Sequence, residues 1–308
     1  MFNTLIKRLF FPQEILAVPF LLFVIYINIR YHLRFEILPP IVYWLFSLTV
    51  TFFSVGISWH VLKNAISYLY VPHFQPLAIR WHELWKYFRI ALSLGLVLVI
   101  YENLQYTIAH VSPVDQDAAL LWYDRVLFGD PHVTLRLQAM VNPMLTEFLN
   151  LAYMSFFFLL PALVIIFFFK KRLKVLSLLA LTTTLTFFLG YMLYISFPAV
   201  GPGVYLSDYY TYSLSGYEIT NFTNNLVNSY GLPRGTFPSL HVACSSVYLY
   251  FAYKHTGKIF YIFLPVIISL WFSTIYLRHH YLIDVIAGFC LAIISITLAK
   301  YIDKKWSA

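Results

Sequence analysis

Two short stretches of the sequence place histidines and a carboxylate at the start of apolar segments. They are residues 234–241, RGTFPSLH, and residues 278–284, RHHYLID. Ionisable side chains at the edge of an apolar, membrane-like segment are costly to place there, so their presence indicates function. Histidine and aspartate side chains are suited to nucleophilic and acid–base chemistry.

His280 and Asp284 form the first candidate pair. At a spacing of i and i+4 on a helix, the two side chains share one face. A carboxylate bonded to one ring nitrogen fixes the tautomer and makes the other nitrogen a better nucleophile or base. Taken alone, the spacing is equally compatible with a structural His–Asp pair at a helix start.

His241 is the second candidate. Pro238 and Ser239 predict a helix N-terminus with Ser239 as its cap, and Gly235 allows a tight turn before it. Free N–H groups at such an N-terminus bind anions, most often phosphate, and His241 would stand beside the anion. The alternative for this motif alone is a plain helix cap with a locally bonded histidine.

Together the two motifs supply a complete set of groups for phosphoryl transfer. His280 would attack phosphorus, Asp284 would stabilise its charged ring, and His241 would protonate the leaving oxygen. Water or an alcohol, deprotonated by His241, would then attack the phosphohistidine and release the phosphoryl group from His280. We expect no cofactor and no metal, because we find no carboxylate cluster suited to Mg²⁺.

The scaffold that positions these groups is predicted to be embedded in a membrane. The chain is 60% hydrophobic and 11% charged, whereas soluble domains carry about 25% charged residues. The net charge of +8 does not indicate a nucleic-acid partner, because the basic residues lie in short clusters between apolar runs. Cys244 and Cys290 lie inside apolar runs and define neither a disulfide framework nor a metal site.

The fold class is therefore all-α, a polytopic bundle with about eight transmembrane helices. The predicted spans are residues 14–30, 38–60, 89–110, 147–169, 175–197, 239–253, 259–276 and 280–300. With the N-terminus in the cytoplasm, most of the 21 Lys and Arg residues fall on the inner side. Both termini are then cytoplasmic, and both histidine motifs lie on the extracytoplasmic or lumenal side.

Two segments between the spans are predicted to lie at the outer surface. Residues 112–146 should form amphipathic helices, and residues 198–238 should form a long irregular loop. The span at residues 239–253 would be only ~22 Å long, shorter than the ~30 Å hydrocarbon core. The loop before it should therefore dip below the surface and line a polar pocket.

Residues 235–241 resemble the second motif of the type-2 phosphatidic acid phosphatase (PAP2) superfamily, and residues 273–284 resemble its third motif. This resemblance implies a six-helix core with the motifs at the outer ends of its fourth and sixth helices. It divides the chain into residues 1–88, two extra N-terminal spans with a cytoplasmic loop, and residues 89–308, the catalytic core.

The resemblance implies that His280 is the nucleophile, Asp284 its supporting carboxylate and His241 the acid–base group. The chain departs from the family pattern at Thr274, which stands where the third motif has arginine, and in lacking the first motif, K-x6-R-P. Phosphate-binding groups are then expected to be Ser239, Gly235, Arg234 and Arg278. For both arginines the alternative is an interfacial side chain whose charged head is solvated. Further pocket candidates are His279, Tyr281, Tyr205, Gly201 and Glu102.

The absence of the third-motif arginine makes the pattern similar to the inositol phosphorylceramide synthase branch of this superfamily. Residues 124–129, DRVLFG, also resemble an element that precedes the core in that branch. We expect a lipid phosphotransferase that takes a phospholipid donor and a lipid alcohol or water as acceptor. The alternatives are a PAP2-type lipid phosphate phosphatase and, from another class, a lipid-phosphate transporter or binding protein. A transporter should have matched broken helices in two halves, whereas the motif occurs only in the second half.

Overall fold

The computed structural model describes residues 10–33, 81–130 and 132–307, and regular structure in these ranges is helical. The helices, numbered in chain order, are α1 (Pro12–Arg30), α2 (Trp81–Val111), α3 (Asp117–Phe128), α4 (Val133–Arg136), α5 (Pro143–Met154), α6 (Phe156–Phe169), α7 (Leu173–Ser196), α8 (Pro202–Tyr205), α9 (Glu218–Tyr230), α10 (Leu240–His255), α11 (Phe260–Tyr276) and α12 (Leu282–Ser307). Short 3-10 turns occupy Leu137–Met140, Ser207–Tyr209 and Gly257–Ile259.

Five of the described stretches are long and apolar enough to cross a membrane, and a sixth is added if α5 and α6 form one bent span. They correspond to α1, α2, α7, α11 and α12, and the axes of α5 and α6 differ by 41°. The predicted polytopic helical bundle is therefore confirmed, and the chain is an integral membrane protein. The span predicted at residues 38–60 lies outside the described residues.

Helix α10 occupies the centre of the bundle, between α7, α11 and α12. It is 16 residues long, or ~24 Å, so it is as short as expected for the predicted span at residues 239–253. Small residues let its neighbours approach closely. A Cβ atom added to Gly288 of α12 would lie 2.7 Å from the Ser239 carbonyl oxygen, and one added to Gly190 of α7 would lie 2.5 Å from Leu240.

Residues 198–238 were predicted to be an irregular loop, and this prediction is wrong for a large part of the segment, because it contains α8 and the 13-residue helix α9. The cap of α9 comes from another helix. The carboxylate of Glu147 on α5 accepts hydrogen bonds from the backbone N–H groups of Tyr217 (2.7 Å), Ile219 (2.7 Å) and Thr220 (3.0 Å). Such distant capping leaves no signal in the local sequence.

Candidate active site

The two predicted histidines and the carboxylate lie together at one end of the bundle. His241 occupies the first turn of α10 and His280 precedes α12, with their ring centroids 6.1 Å apart. The Nδ1 atom of His280 lies 3.4 Å from the Asp284 Oδ2 atom, and the Asp284 side chain is fully buried. This separation exceeds the 2.7–2.9 Å typical of a charged N–H···O bond. Asp284 therefore faces the ring at Nδ1 without a short hydrogen bond to it.

Burial controls the charge of the two histidines between α11 and α12. It lowers the pKa of His279 to about 4. It also holds the pKa of His280 well below its usual range, and the neighbouring rings of His241 and His279 act in the same direction. A hydrogen bond with the backbone of Thr236 opposes this shift in the pKa of His280. Both rings are consequently neutral near pH 7, and a neutral imidazole retains a lone pair for attack.

Aromatic side chains from the break between α5 and α6 hold the histidine rings in place. The His241 ring stacks on Tyr153, with centroids 4.5 Å apart, and lies 4.4 Å from the Phe156 centroid. Tyr153 also lies 4.6 Å from the ring of His279. Sequence reasoning missed Tyr153 and Phe156, because in an apolar helix an aromatic residue is ordinary bulk.

The start of α10 has the predicted cap and is connected directly to α12. The Ser239 hydroxyl oxygen accepts a hydrogen bond of 3.4 Å from the N–H of Val242. The N–H of Ser239 donates to the backbone carbonyl of Asp284 at 3.1 Å. Gly235 forms an isolated parallel bridge with Ala199, which connects the motif at residues 235–241 to the segment before α8. These contacts fix the helix N-terminus beside the two histidines.

The two candidate arginines lie in different environments. Arg234 forms an ion pair with Asp115, and its Nη2 atom is buried with no hydrogen-bond partner in the described part of the chain. Arg278 donates to the backbone carbonyl of Tyr212 at 2.6 Å, and its guanidinium lies 3.8 Å from the centroid of the Tyr210 ring. One N–H group of Arg234 is therefore buried without an acceptor among the described residues, whereas the segment at Tyr210 and Tyr212 contacts Arg278.

Of the three remaining candidates, Gly201 contacts the histidine motifs. Gly201 packs against both motifs, since an added Cβ atom would lie 2.9 Å from the His279 carbonyl oxygen and 3.0 Å from the Thr236 hydroxyl oxygen. Tyr205, at the end of α8, is 45% exposed. Glu102 is buried in α2.

Asp117 on α3 links the segment before α8 to the motif at residues 273–284. Its carboxylate accepts hydrogen bonds from the backbone N–H groups of Val200 (3.0 Å) and Gly201 (2.8 Å). It also accepts a bond of 2.9 Å from the hydroxyl of Tyr281. Tyr281, a predicted pocket residue, is thus buried and directed at Asp117 rather than at the histidines.

Asp124 on the same helix caps α12. Its two oxygens accept hydrogen bonds from the N–H groups of Leu282 (3.1 Å) and Ile283 (2.7 Å). Both Asp117 and Asp124 are almost fully buried, whereas Val126 and Leu127 are more than half exposed. The acids of α3 therefore lie on its buried face and apolar side chains lie on its exposed face, which is the reverse of a surface helix in a soluble domain. Asp117 and Asp124 are spaced two turns apart on one helix face. This spacing is visible in the sequence and could have indicated that both acids are buried.

Within the described ranges, no group of three or more His, Cys, Asp or Glu side chains has the arrangement needed to hold a metal ion. The groups that lie together at the site are the histidines, the buried carboxylate of Asp284 and the N-terminus of α10.

The sequence is similar to parts of several known proteins. The chain is 37% identical over 67 residues to the catalytic subunit of inositol phosphorylceramide synthase from Saccharomyces cerevisiae, covering 22% of this chain and 17% of that protein. It is 28% identical over 133 residues to inositol phosphorylceramide synthase from Candida albicans, covering 38% and 28%. A PA-phosphatase related-family protein from Dictyostelium discoideum is 30% identical over 115 residues, covering 34% and 21%.

These matches span less than a third of the length of each relative, and no solved structure matches the chain significantly. The broader evidence comes from the family itself. Its sequence model matches residues 118–298, which is more than half of the chain and includes α3, α10 and the start of α12. The chain belongs to the PAP2 superfamily.

Proposed function

We propose that the protein is a lipid phosphotransferase that moves a phospho-headgroup from a phospholipid to a lipid alcohol through a phosphohistidine. The observation that carries the proposal is the position of His241 and His280, 6.1 Å apart at the start of α10. Membership of the PAP2 superfamily and similarity to two inositol phosphorylceramide synthases support this reaction class. They also suggest phosphatidylinositol as donor and ceramide as acceptor.

The first step forms a bond between His280 and phosphorus. Because Nδ1 faces Asp284, the attacking atom is Nε2 of His280, whose lone pair displaces the glycerol oxygen of the donor. His241 enters this step in its protonated form: as the P–O bond breaks, it gives that proton to the leaving oxygen, becomes neutral, and diacylglycerol departs. Asp284 stabilises the positive charge that develops on the ring. The N–H groups at the start of α10 and the Nη2 group of Arg234 bind the phosphate oxygens.

The second step returns the enzyme to its initial state. The hydroxyl group of the acceptor lipid attacks phosphorus and gives its proton to His241. The P–N bond breaks, and its electron pair returns to Nε2 of His280. If water takes the place of the lipid alcohol, the same steps produce hydrolysis. A diester substrate carries less negative charge than a monoester, which agrees with the small number of cations at the site.

We further propose that residues 89–308 form the catalytic core, with residues 1–88 as additional membrane segments. The distribution of basic residues supports an active site on the extracytoplasmic or lumenal side with both termini in the cytoplasm. Modification of single introduced cysteines by an impermeant reagent tests this orientation.

The experiment that tests the function uses purified protein with phosphatidylinositol labelled in the headgroup and ceramide as acceptor. Wild type should move the label to ceramide, and His280→Ala should be inactive. His110→Ala, which changes an exposed histidine at the end of α2, is the matched control. Release of water-soluble label alone would show that water, and not a lipid alcohol, accepts the phospho-headgroup. Equal transfer by His280→Ala and wild type would remove His280 as the nucleophile, and absence of both transfer and release in wild type would favour a transporter.

A further inference from the structure

A groove of about 350 Å³ lies between α10, α11 and α12 on the surface that faces lipid. Its walls are formed almost entirely by apolar and aromatic side chains, among them Leu249, Tyr253, Phe260, Trp271, Phe289 and Ile296. Trp271 and Phe289 meet edge to face, 4.8 Å between centroids, at the end nearer the active site. The groove is therefore a different feature from the site that holds the histidines.

The groove has the length of one lipid leaflet. Along α11 it extends from Phe260 to Trp271, a rise of ~16 Å. This is about half of the ~30 Å hydrocarbon thickness. Since α10 begins beside the catalytic histidines and passes the groove on its way to its C-terminus, the groove lies in the opposite leaflet. Its shape and polarity fit an acyl chain of a lipid in that leaflet.

Two lysines lie where the headgroup of such a lipid would be. The Nζ atom of Lys254 is 5.1 Å from the ring centroid of Tyr253, and that of Lys300 is 4.7 Å from the ring centroid of Tyr250. Both tyrosines line the groove. Both lysines are exposed, and in the part of the chain that the structure describes neither has a carboxylate partner within ion-pair distance. The groove thus ends between two cations that nothing in this region neutralises.

We infer that the groove binds one anionic phospholipid, distinct from the substrate, with an acyl chain along α11 and its phosphate between Lys254 and Lys300. Positive charge near an anionic leaflet is attracted to it. Two lysines held by aromatic contacts at the end of an apolar groove make binding selective for anionic phospholipids, because the acyl chain must fit the groove and the headgroup must fit the lysines. A zwitterionic lipid fills the groove equally well but lacks the net negative charge.

The test measures lipid retained by the purified protein. Wild type is reconstituted in nanodiscs of phosphatidylcholine and phosphatidylserine at equal amounts, extracted into detergent and analysed by native mass spectrometry. Wild type should retain one phosphatidylserine in preference to phosphatidylcholine. The double variant Lys254→Gln/Lys300→Gln should lose this preference by about tenfold. The matched control Lys171→Gln/Lys174→Gln removes two exposed lysines that make no ring contact with the groove tyrosines, and it should retain the preference for phosphatidylserine.

A second variant distinguishes the effect of the groove on lipid retention from the effect of surface charge. Ile293→Trp places a large ring into the groove without removing a lysine, and it should reduce retention of both lipids. Three results would overturn the inference: equal retention of both lipids by wild type, unchanged preference in the groove-lysine variant, or equal loss in the control variant. Unchanged retention in Ile293→Trp would exclude the groove as the location.

Discussion

The carboxylate of Asp124 accepts a hydrogen bond of 2.7 Å from the backbone N–H of Ile283, a residue 159 positions later in the chain. Its second oxygen accepts from the N–H of Leu282. Helix α12 therefore receives its N-terminal cap from α3, in the same first turn that contains Asp284. The position of the carboxylate behind His280 thus depends on a helix that itself contributes no reacting group.

Replacing Asp124 should consequently affect both stability and activity. Asp124→Ala leaves two N–H groups of α12 without an acceptor and should cost about 1–2 kcal/mol, as the loss of a helix cap does. Displacement of Asp284 and His280 should lower the transfer rate by about 10- to 100-fold. Asp124→Asn retains one carbonyl oxygen and should be intermediate. Thermal unfolding in detergent and the ceramide transfer assay measure the two effects.

Arg125→Ala is the control for this prediction, because it changes an exposed residue of the same helix. It should leave both measurements close to those of wild type. If Asp124→Ala behaved like Arg125→Ala, the capping contact would contribute neither to stability nor to the transfer rate.

The close contact between α10 and α12 supports a second prediction. Gly288→Ala would place a Cβ atom 2.7 Å from the Ser239 carbonyl oxygen, a backbone atom that cannot move alone. The substitution should separate the starts of α10 and α12, and hence His241 and His280, and lower activity and the unfolding temperature together. Gly95→Ala in α2 meets nothing within 4 Å. It should raise the free energy of unfolding by about 0.5–1 kcal/mol, because alanine favours helix. Equal effects of the two substitutions would contradict the packing argument.

The sequence was sufficient to predict that His241, His280 and Asp284 lie together at the starts of two apolar helices; their catalytic roles stay a prediction. His241, His280 and Asp284 each occur at the start of an apolar segment, and the spacing of His280 and Asp284 depends only on helical periodicity. The polarity of these residues at membrane depth was visible without any structure.

The supporting contacts could not be predicted, because their partners are remote in sequence. Glu147 caps α9 and Asp124 caps α12 from other helices. A helix whose cap comes from elsewhere has no local start signal, and this is why α9 was expected to be a loop. Similarly, the aromatic residues that hold His241 are hard to distinguish from lipid-facing residues until the break between α5 and α6 is known.

Gly201 provides a third prediction with an internal control. Its φ of +89° and ψ of 163° belong to a region that is essentially restricted to glycine. Gly201→Ala adds backbone strain, and its Cβ atom would lie 2.9 Å from the carbonyl oxygen of His279. We expect a loss of activity of about tenfold or more, since the backbone next to His280 must move. Gly129→Ala also has a positive φ, of +74°, but meets nothing within 4 Å. It should cost stability and little activity, as measured by the same two assays.

Burial of His279 predicts how stability depends on pH. Burial lowers the pKa of His279 to about 4, whereas the unfolded value is about 6.5. Below pH ~6.5 the unfolded state therefore binds more protons than the folded state, and stability falls as pH decreases towards 4. The expected slope is about 1.4 kcal/mol per pH unit for each such histidine. In His279→Gln, which cannot titrate, the unfolding temperature should decrease less between pH 7 and pH 5. The same slope in this variant and wild type would assign the pH dependence to other groups.

The two roles of His241 can be separated with an activated donor. An aryl phosphodiester has a leaving group that departs without a proton, so the first step should proceed in His241→Ala, whereas the second step still needs a base. Labelled phosphohistidine should then accumulate in His241→Ala, where quantitative mass spectrometry of an alkaline digest would locate it on His280. His241→Ala/His280→Ala should carry no label. Absence of label from His241→Ala, in protein whose unfolding temperature matches wild type, would contradict the covalent mechanism and favour direct transfer between the two lipids.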